Sequence, residues 1–255
     1  MTDLYRPAEI ADLVERAGVA KAGAPLHALV ALSVLAGAFI AFGAAFYTVA
    51  MTGADPGFGP ARVLGGVVFS LGLILVVVGG AELFTGNALI VMAFVDGKVT
   101  GAGLARNWGI VYLGNAGGAL LLAAAVHFTG LLAGPFGETA AAIASSKLAL
   151  GPVEVFARAI LCNALVCLAV WLSFAARDVT GKILAIVWPV TAFVALGLEH
   201  SVANMYLLPV GLLAGATGTA ADALANIAIA TIGNIIGGAG GVALAYRLAF
   251  KPTAG

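Results

Sequence analysis

Six long runs of apolar residues, almost free of charge, follow one another along the chain: 26–50, 63–95, 108–132, 155–176, 183–216 and 223–248. A segment inside a bilayer must satisfy its own backbone, so each run is predicted to be a membrane-crossing helix. The second and fifth runs exceed 30 residues. Unbroken, they would reach roughly 45–50 Å at 1.5 Å per residue, against a hydrocarbon core of about 30 Å. Each sets glycine close to its one embedded acid, in Gly79-Gly80-Ala81-Glu82 and Gly197-Leu198-Glu199. Both helices are therefore predicted to break there. Ahead of the first run, 7–21 begins with Pro and puts Ile10, Leu13, Val14 and Ala17 on one stripe. It reads as a short amphipathic helix anchored on the membrane surface, with a plug or gate as the alternative role.

Composition narrows the class. Hydrophobic residues make up 62% of the 255 and charged residues only 9%, where a soluble domain carries about 25% charged. Twelve basic residues balance twelve acidic ones, so no net field points to nucleic acid. Soluble enzymes, nucleic-acid binders and disordered scaffolds are excluded. The chain reads as one transmembrane domain over 1–255, with the cytoplasmic helix in 1–25, a first repeat over 26–132 and a second over 153–248. The 35 glycines suit close packing of helices in lipid. Cys162 and Cys167 read as small packing residues rather than a disulfide or metal pair.

Cation placement orients the chain. Arg6, Arg16, Lys21, Lys98, Arg106, Arg177, Lys182, Arg247 and Lys251 fall on one side, against Arg62, Lys147 and Arg158 on the other. By the positive-inside rule both termini are cytoplasmic. No cleavable signal peptide is visible, so the first span directs insertion.

Two pairs of segments resemble each other. Gly80-Ala-Glu82-Leu-Phe-Thr-Gly-Asn87 matches Gly197-Leu-Glu199-His-Ser-Val-Ala-Asn204, and Asn107…Gly114-Asn115…Gly118 matches Asn226…Gly233-Asn234…Gly237. The first and fourth spans show no convincing match. A repeat of three spans crosses the membrane upside down in its second copy. Paired broken helices in inverted halves point to a solute site near the midplane between them.

Embedded ionisable groups cost about 2.5–3.5 kcal/mol each on insertion scales, so they mark structure or function. Glu82 and Glu199 read first as acceptors for backbone N–H groups freed at the breaks, and second as solute contacts. His200 can titrate near neutral pH or stand as a neutral ring bonded to a carbonyl. Thr85, at the other break, offers it a hydroxyl. Phe69, Leu73, Leu83, Phe84 and Phe193 are core or lipid-facing residues unless the breaks line a pore, where they become constrictions.

The chain resembles the formate/nitrite transporter family. The likeness rests on Ala81-Glu82-Leu83-Phe84-Thr85-Gly86-Asn87, on Asn107-Trp108…Val111-Tyr112…Gly114-Asn115, and on Asn163…Leu165-Val166-Cys167-Leu168-Ala169…Trp171. Gly197…Glu199-His200-Ser201-Val202-Ala203-Asn204-Met205 and Gly233-Asn234 complete it. The resemblance implies an all-α membrane protein with an aquaporin-like fold. It implies six transmembrane helices in inverted three-helix repeats, helices 2 and 5 interrupted, and a homopentamer with one pore per protomer in the inner (plasma) membrane. His200 is similar to the family's central pore histidine and Thr85 to its hydrogen-bonding threonine. Leu83 is similar to the cytoplasmic-side constriction, and Phe69, Leu73 and Phe193 to the periplasmic-side one. Lys147, by itself an ordinary loop charge, is similar to the vestibule lysine that attracts anions, with Asn163 and Asn204 near it. The loops at 130–150 and 217–222 are short for the family.

The transported species implied are small monovalent anions of weak acids, formate foremost, with nitrite and hydrosulfide as alternatives, and protons. The resemblance calls for no metal or other cofactor. The mechanism expected is capture at Lys147 followed by proton transfer with His200, so that a neutral acid passes the apolar constrictions. A passive anion pore is the alternative. An aquaporin-type channel would carry Asn-Pro-Ala boxes, and no Asn-Pro dipeptide occurs. An intramembrane enzyme using Glu82, Glu199 and His200 would lack a His-Glu-x-x-His motif.

Overall fold

A computed structural model describes residues 4–250; Lys251, counted above among the cytoplasmic cations, lies outside them. The described residues are helical almost throughout. After α1 (Pro7–Ala22) come α2 (Leu26–Met51) and α3 (Gly59–Gly79). A 3-10 turn (Gly86–Ile90) then runs into α4 (Val91–Val95). Next are α5 (Gly101–Phe128), α6 (Pro135–Leu148), α7 (Pro152–Ala175), α8 (Val179–Ala195) and α9 (Ser201–Leu213). The last crossing is one continuous helix, α10 (Ala220–Ile235), a π-helical stretch (Ile236–Leu244) and α11 (Ala245–Phe250). Five helices are long and apolar enough to cross a membrane: α2, α3, α5, α7 and the α10–α11 rod. The fifth crossing is divided between α8 and α9, neither of which has that length.

The interruptions fall where the length and glycine pattern put them. Gly80 closes α3 with φ +79°, and Gly197 follows α8 with φ +69°. Glycine alone enters that region without a Cβ penalty, so the helix turns off at these two points.

Several boundaries differ from the hydropathy reading. The third span begins at Gly101 rather than 108, because the Thr100 hydroxyl accepts from Gly103 N–H and caps a helix whose first turns carry Arg106. The segment 130–150 is not a plain loop but holds α6, begun by Pro135 at its first turn. α1 is not a free surface helix: Ile10, Ala11, Val14 and Gly18 are buried, and Gly18 packs against Ile90 and Ala93 beyond the first break. A Lys98–Glu15 ion pair (2.9 Å) and the Arg177 guanidinium over the Tyr5 ring (4.3 Å) hold it in place.

α2 packs on α5, and α7 on the α10–α11 rod, in the same manner. A Cβ on Gly118 would overlap the Val34 carbonyl, and one on Gly237 the Ile160 carbonyl. Backbones this close gain dispersion contacts that larger side chains would prevent. Cys162 and Cys167 are buried and unbonded to each other.

Candidate pore and its two mouths

Two networks of hydrogen bonds, one per break, carry the same chemistry. At the first, Asn115 Nδ2 donates to the carbonyls of Ser33 (2.8 Å) and Glu82 (2.9 Å), while its Oδ1 accepts from Phe84 N–H (2.9 Å). At the second, Asn234 Nδ2 donates to the carbonyls of Ala159 (2.8 Å) and Glu199 (2.9 Å), and its Oδ1 accepts from Ser201 N–H (2.9 Å). Backbone groups freed by a helix break must find partners in lipid. An asparagine from the neighbouring rod supplies both a donor and an acceptor.

The carboxylates, expected to accept from those freed amides, do something else. Glu82 Oε1 accepts from Lys21 Nζ (2.7 Å) and its Oε2 from Asn87 (2.7 Å); Asn87 also donates to Asn107, which donates to the Lys21 carbonyl. Glu199 Oε1 accepts from Lys147 Nζ (2.8 Å) and its Oε2 from Asn204 (2.6 Å); Asn204 also donates to Asn226, which donates to the Lys147 carbonyl. Lys147 therefore sits in the last turn of α6, with a counter-ion, and is not an ordinary loop charge. Lys21, counted above only among the cytoplasmic-side cations, holds the matching place at the other mouth.

Between the networks the two breaks touch. His200 Nε2 lies 2.9 Å from Thr85 Oγ1. His200 is also the N-cap of α9, its Nδ1 accepting from Ala203 N–H at 3.0 Å. An accepting Nδ1 carries no proton, so the neutral ring bears its hydrogen on Nε2 and donates it to Thr85. Phe193 stacks on the His200 ring (centroids 5.8 Å, 20° between planes) and meets Phe69 edge to face at 5.6 Å. A narrow cavity of about 50 Å³ there reaches from His200 past Phe69 and Phe193 to Lys147.

Two expected placements change. Leu73 does not join the Phe69–Phe193 constriction. It stands one helical turn beyond Phe69 along α3, and with Leu83 it lines the cavity of about 290 Å³ that holds Lys21, Glu82 and Lys182. Asn163 does not stand beside Lys147; its amide donates to the carbonyls of Thr85 (3.1 Å) and Asn234 (2.6 Å), behind the central pair. Asn204 does reach the Lys147 mouth, through Glu199. Sequence reasoning missed the structural parts of Asn115, Asn234 and Lys21. The repeated asparagines were visible in the repeat, whereas Lys21 had no signal of its own.

The profile of the formate/nitrite transporter family matches residues 8–248. The uncharacterized transporter YrhG of Bacillus subtilis (strain 168) is 45% identical over 249 residues, 96% of this chain and 93% of that protein. The formate channel FocA of Escherichia coli (strain K12) is 39% identical over 267 residues, 96% of this chain and 94% of that protein. Among solved structures, a pentameric formate channel with formate bound superposes with a TM-score of 0.81 at 37% identity, covering 88% of this chain and 97% of that one. An ion channel of the same family gives a TM-score of 0.84 at 28% identity, covering 95% and 98%.

Proposed function

The chain belongs to the formate/nitrite transporter family, a multi-pass membrane anion channel and not an enzyme, and from that premise we propose that its solute is formate and that it works as a homopentamer in the plasma membrane. The formate channels among its relatives and the pentameric, formate-bound neighbour support both statements. The cation count of the sequence supports cytoplasmic termini, which makes the Lys21 mouth the inner one and the Lys147 mouth the outer. The paired networks support a repeat in which each half begins at its lysine-bearing helix, α1 or α6, rather than at residues 26 and 153.

The observation that carries the mechanism is the His200–Thr85 bond between two apolar constrictions. A carboxylate entering such a slit as an anion would lose its hydration with no charge to replace it. The neutral acid needs only hydrogen bonds there, and Thr85 supplies one. Its oxygen accepts from His200 Nε2, which leaves the hydroxyl hydrogen for a passing oxygen. His200 cannot take a second proton without giving up the Ala203 cap. Proton uptake by formate is therefore assigned to the hydrated mouths, and His200 to fixing the direction of the Thr85 donor. The test is a competition series of labelled formate uptake against nitrite and hydrosulfide, in cells lacking their own carriers. Saturable formate uptake, rising as external pH falls, is expected; no formate uptake above background would remove the reading.

A further inference from the structure

The mouth around Gly197 carries two guanidinium groups that the pore chemistry described so far does not use. Arg62 Nη2 lies 3.3 Å, and Arg158 Nη1 3.8 Å, from the point where a Cβ on Gly197 would stand. They come from different elements, Arg62 from the first turn of α3 and Arg158 from the second turn of α7, and converge over the second break. Both line a concave vestibule of about 410 Å³ together with Lys147, Glu199 and Glu138. Both are only partly exposed.

Charge pairing separates these arginines from Lys147. Lys147 is committed to Glu199 at 2.8 Å, with side chains 17% and 1% exposed, so its field in the vestibule is largely cancelled. Among the described residues Arg62 has no ion pair. Arg158 donates to the Gly197 carbonyl (3.2 Å) and has one long contact of 3.9 Å with the exposed Glu154, a carboxylate that also caps Gly151 N–H. The uncancelled positive charge of this mouth therefore sits on guanidinium forks. Their planar donor pattern matches two oxygens of a planar oxyanion, as an ammonium does not. The other mouth differs. Open space surrounds the equivalent Gly80, and its cations, Lys21 and Lys182, are ammonium groups.

We infer that Arg62 and Arg158 form a capture site for small planar oxyanions over Gly197, the step that precedes the Phe69–Phe193 slit. The inference rests on the channel reading and names the class of solute this mouth selects: formate and nitrite, each with two oxygens, ahead of hydrosulfide, which has none.

The experiment is initial-rate uptake of formate, nitrite and hydrosulfide into cells lacking their own carriers, for wild type, Arg62→Gln, Arg158→Gln and Arg62→Lys. Loss of a focusing charge raises the apparent KM for formate about three- to ten-fold in either Gln variant, with the maximal rate held within about two-fold. Arg62→Lys keeps the charge and loses the fork, so its KM rises for formate and nitrite and stays at the wild-type value for hydrosulfide. A wild-type formate KM in Arg62→Gln overturns the site. Should that variant fail to reach the membrane, Arg62→Lys decides: KM values unchanged from wild type for each of the three solutes overturn it as well. A wild type that carries none of the three removes the channel reading itself, a different failure from loss of the capture site in a working channel.

Discussion

Lys21 and Lys147 occupy equivalent places in two inverted halves. Each gives its ammonium to the carboxylate of a helix break and its carbonyl to an asparagine that closes a ring of side chains. The relationship ties α1 and α6 to the pore as parts of its wall. It also makes the two lysines counter-ions first and attractors of solute second.

That ordering has a measurable consequence at Lys147. Glu199 is nearly inaccessible to solvent, so Lys147→Met leaves a buried carboxylate without its cation, a change worth about 3–5 kcal/mol. Thermal unfolding of the purified protein should show a marked loss of stability for Lys147→Met. The double variant Lys147→Met/Glu199→Gln should recover a substantial part. Simple additivity of the two changes would show that the pair is not coupled.

The asparagines are held to a stricter standard than the ion pairs. Asn115→Leu strands the Phe84 N–H and the Glu82 carbonyl at the break and removes an additional bond to the Ser33 carbonyl inside α2, and each buried orphan costs about 1–3 kcal/mol. Asn115→Asp keeps the acceptor for Phe84 and loses the two donations. In the same unfolding assay Asn115→Asp should also lose stability, because its second oxygen faces the Ser33 and Glu82 carbonyls in place of a donor, and Asn234→Leu should behave like Asn115→Leu. A Leu variant as stable as wild type would mean that the break is satisfied some other way.

Much of this was legible in the chain. Run lengths against bilayer thickness, with Gly80 and Gly197 beside Glu82 and Glu199, place both breaks in the sequence alone. The Asn-Gly spacing of 115/118 and 234/237 marked the rods that brace them. The lysine equivalence was hidden because it lies at a different offset, 126 residues rather than 117 or 119, and α6 looked like a loop beside the long apolar runs. Arg62 and Arg158 lie 96 positions apart. Nothing in a one-dimensional pattern says that two cations at the ends of separate spans will meet over one glycine. The exchange of Leu73 from one constriction to the other has a similar origin. One helical turn moves a side chain about 5 Å along the pore, enough to change sides of His200.

The central pair yields a pH experiment. If formate crosses the dry slit as the neutral acid, the uptake rate at fixed total formate should rise as external pH falls. His200→Asn keeps a side-chain oxygen to cap Ala203 N–H and removes the imidazole, while its shorter amide falls back from Thr85. If protonation happens in the mouths, this variant keeps the direction of the pH dependence at a reduced rate. A flat pH profile in His200→Asn would return the proton step to the imidazole.

Phe193 performs two tasks, and its replacement should separate them. Its edge contact with Phe69 borders the slit, and its stacked contact with His200 backs the ring that is hydrogen-bonded to Thr85. Phe193→Ala opens the passage beside Lys147 and leaves His200 free on one face. A wider, wetter slit admits larger weak acids, so acetate and lactate uptake should increase relative to formate. The loosened imidazole should at the same time lower the formate rate per channel, because the Thr85 donor loses its fixed direction. Phe69→Ala widens the same slit without touching the stack. It should gain the larger acids and keep most of its formate rate. If the two variants behave alike in both respects, Phe193 is only a gate, and the stacked pair has no part in presenting the donor.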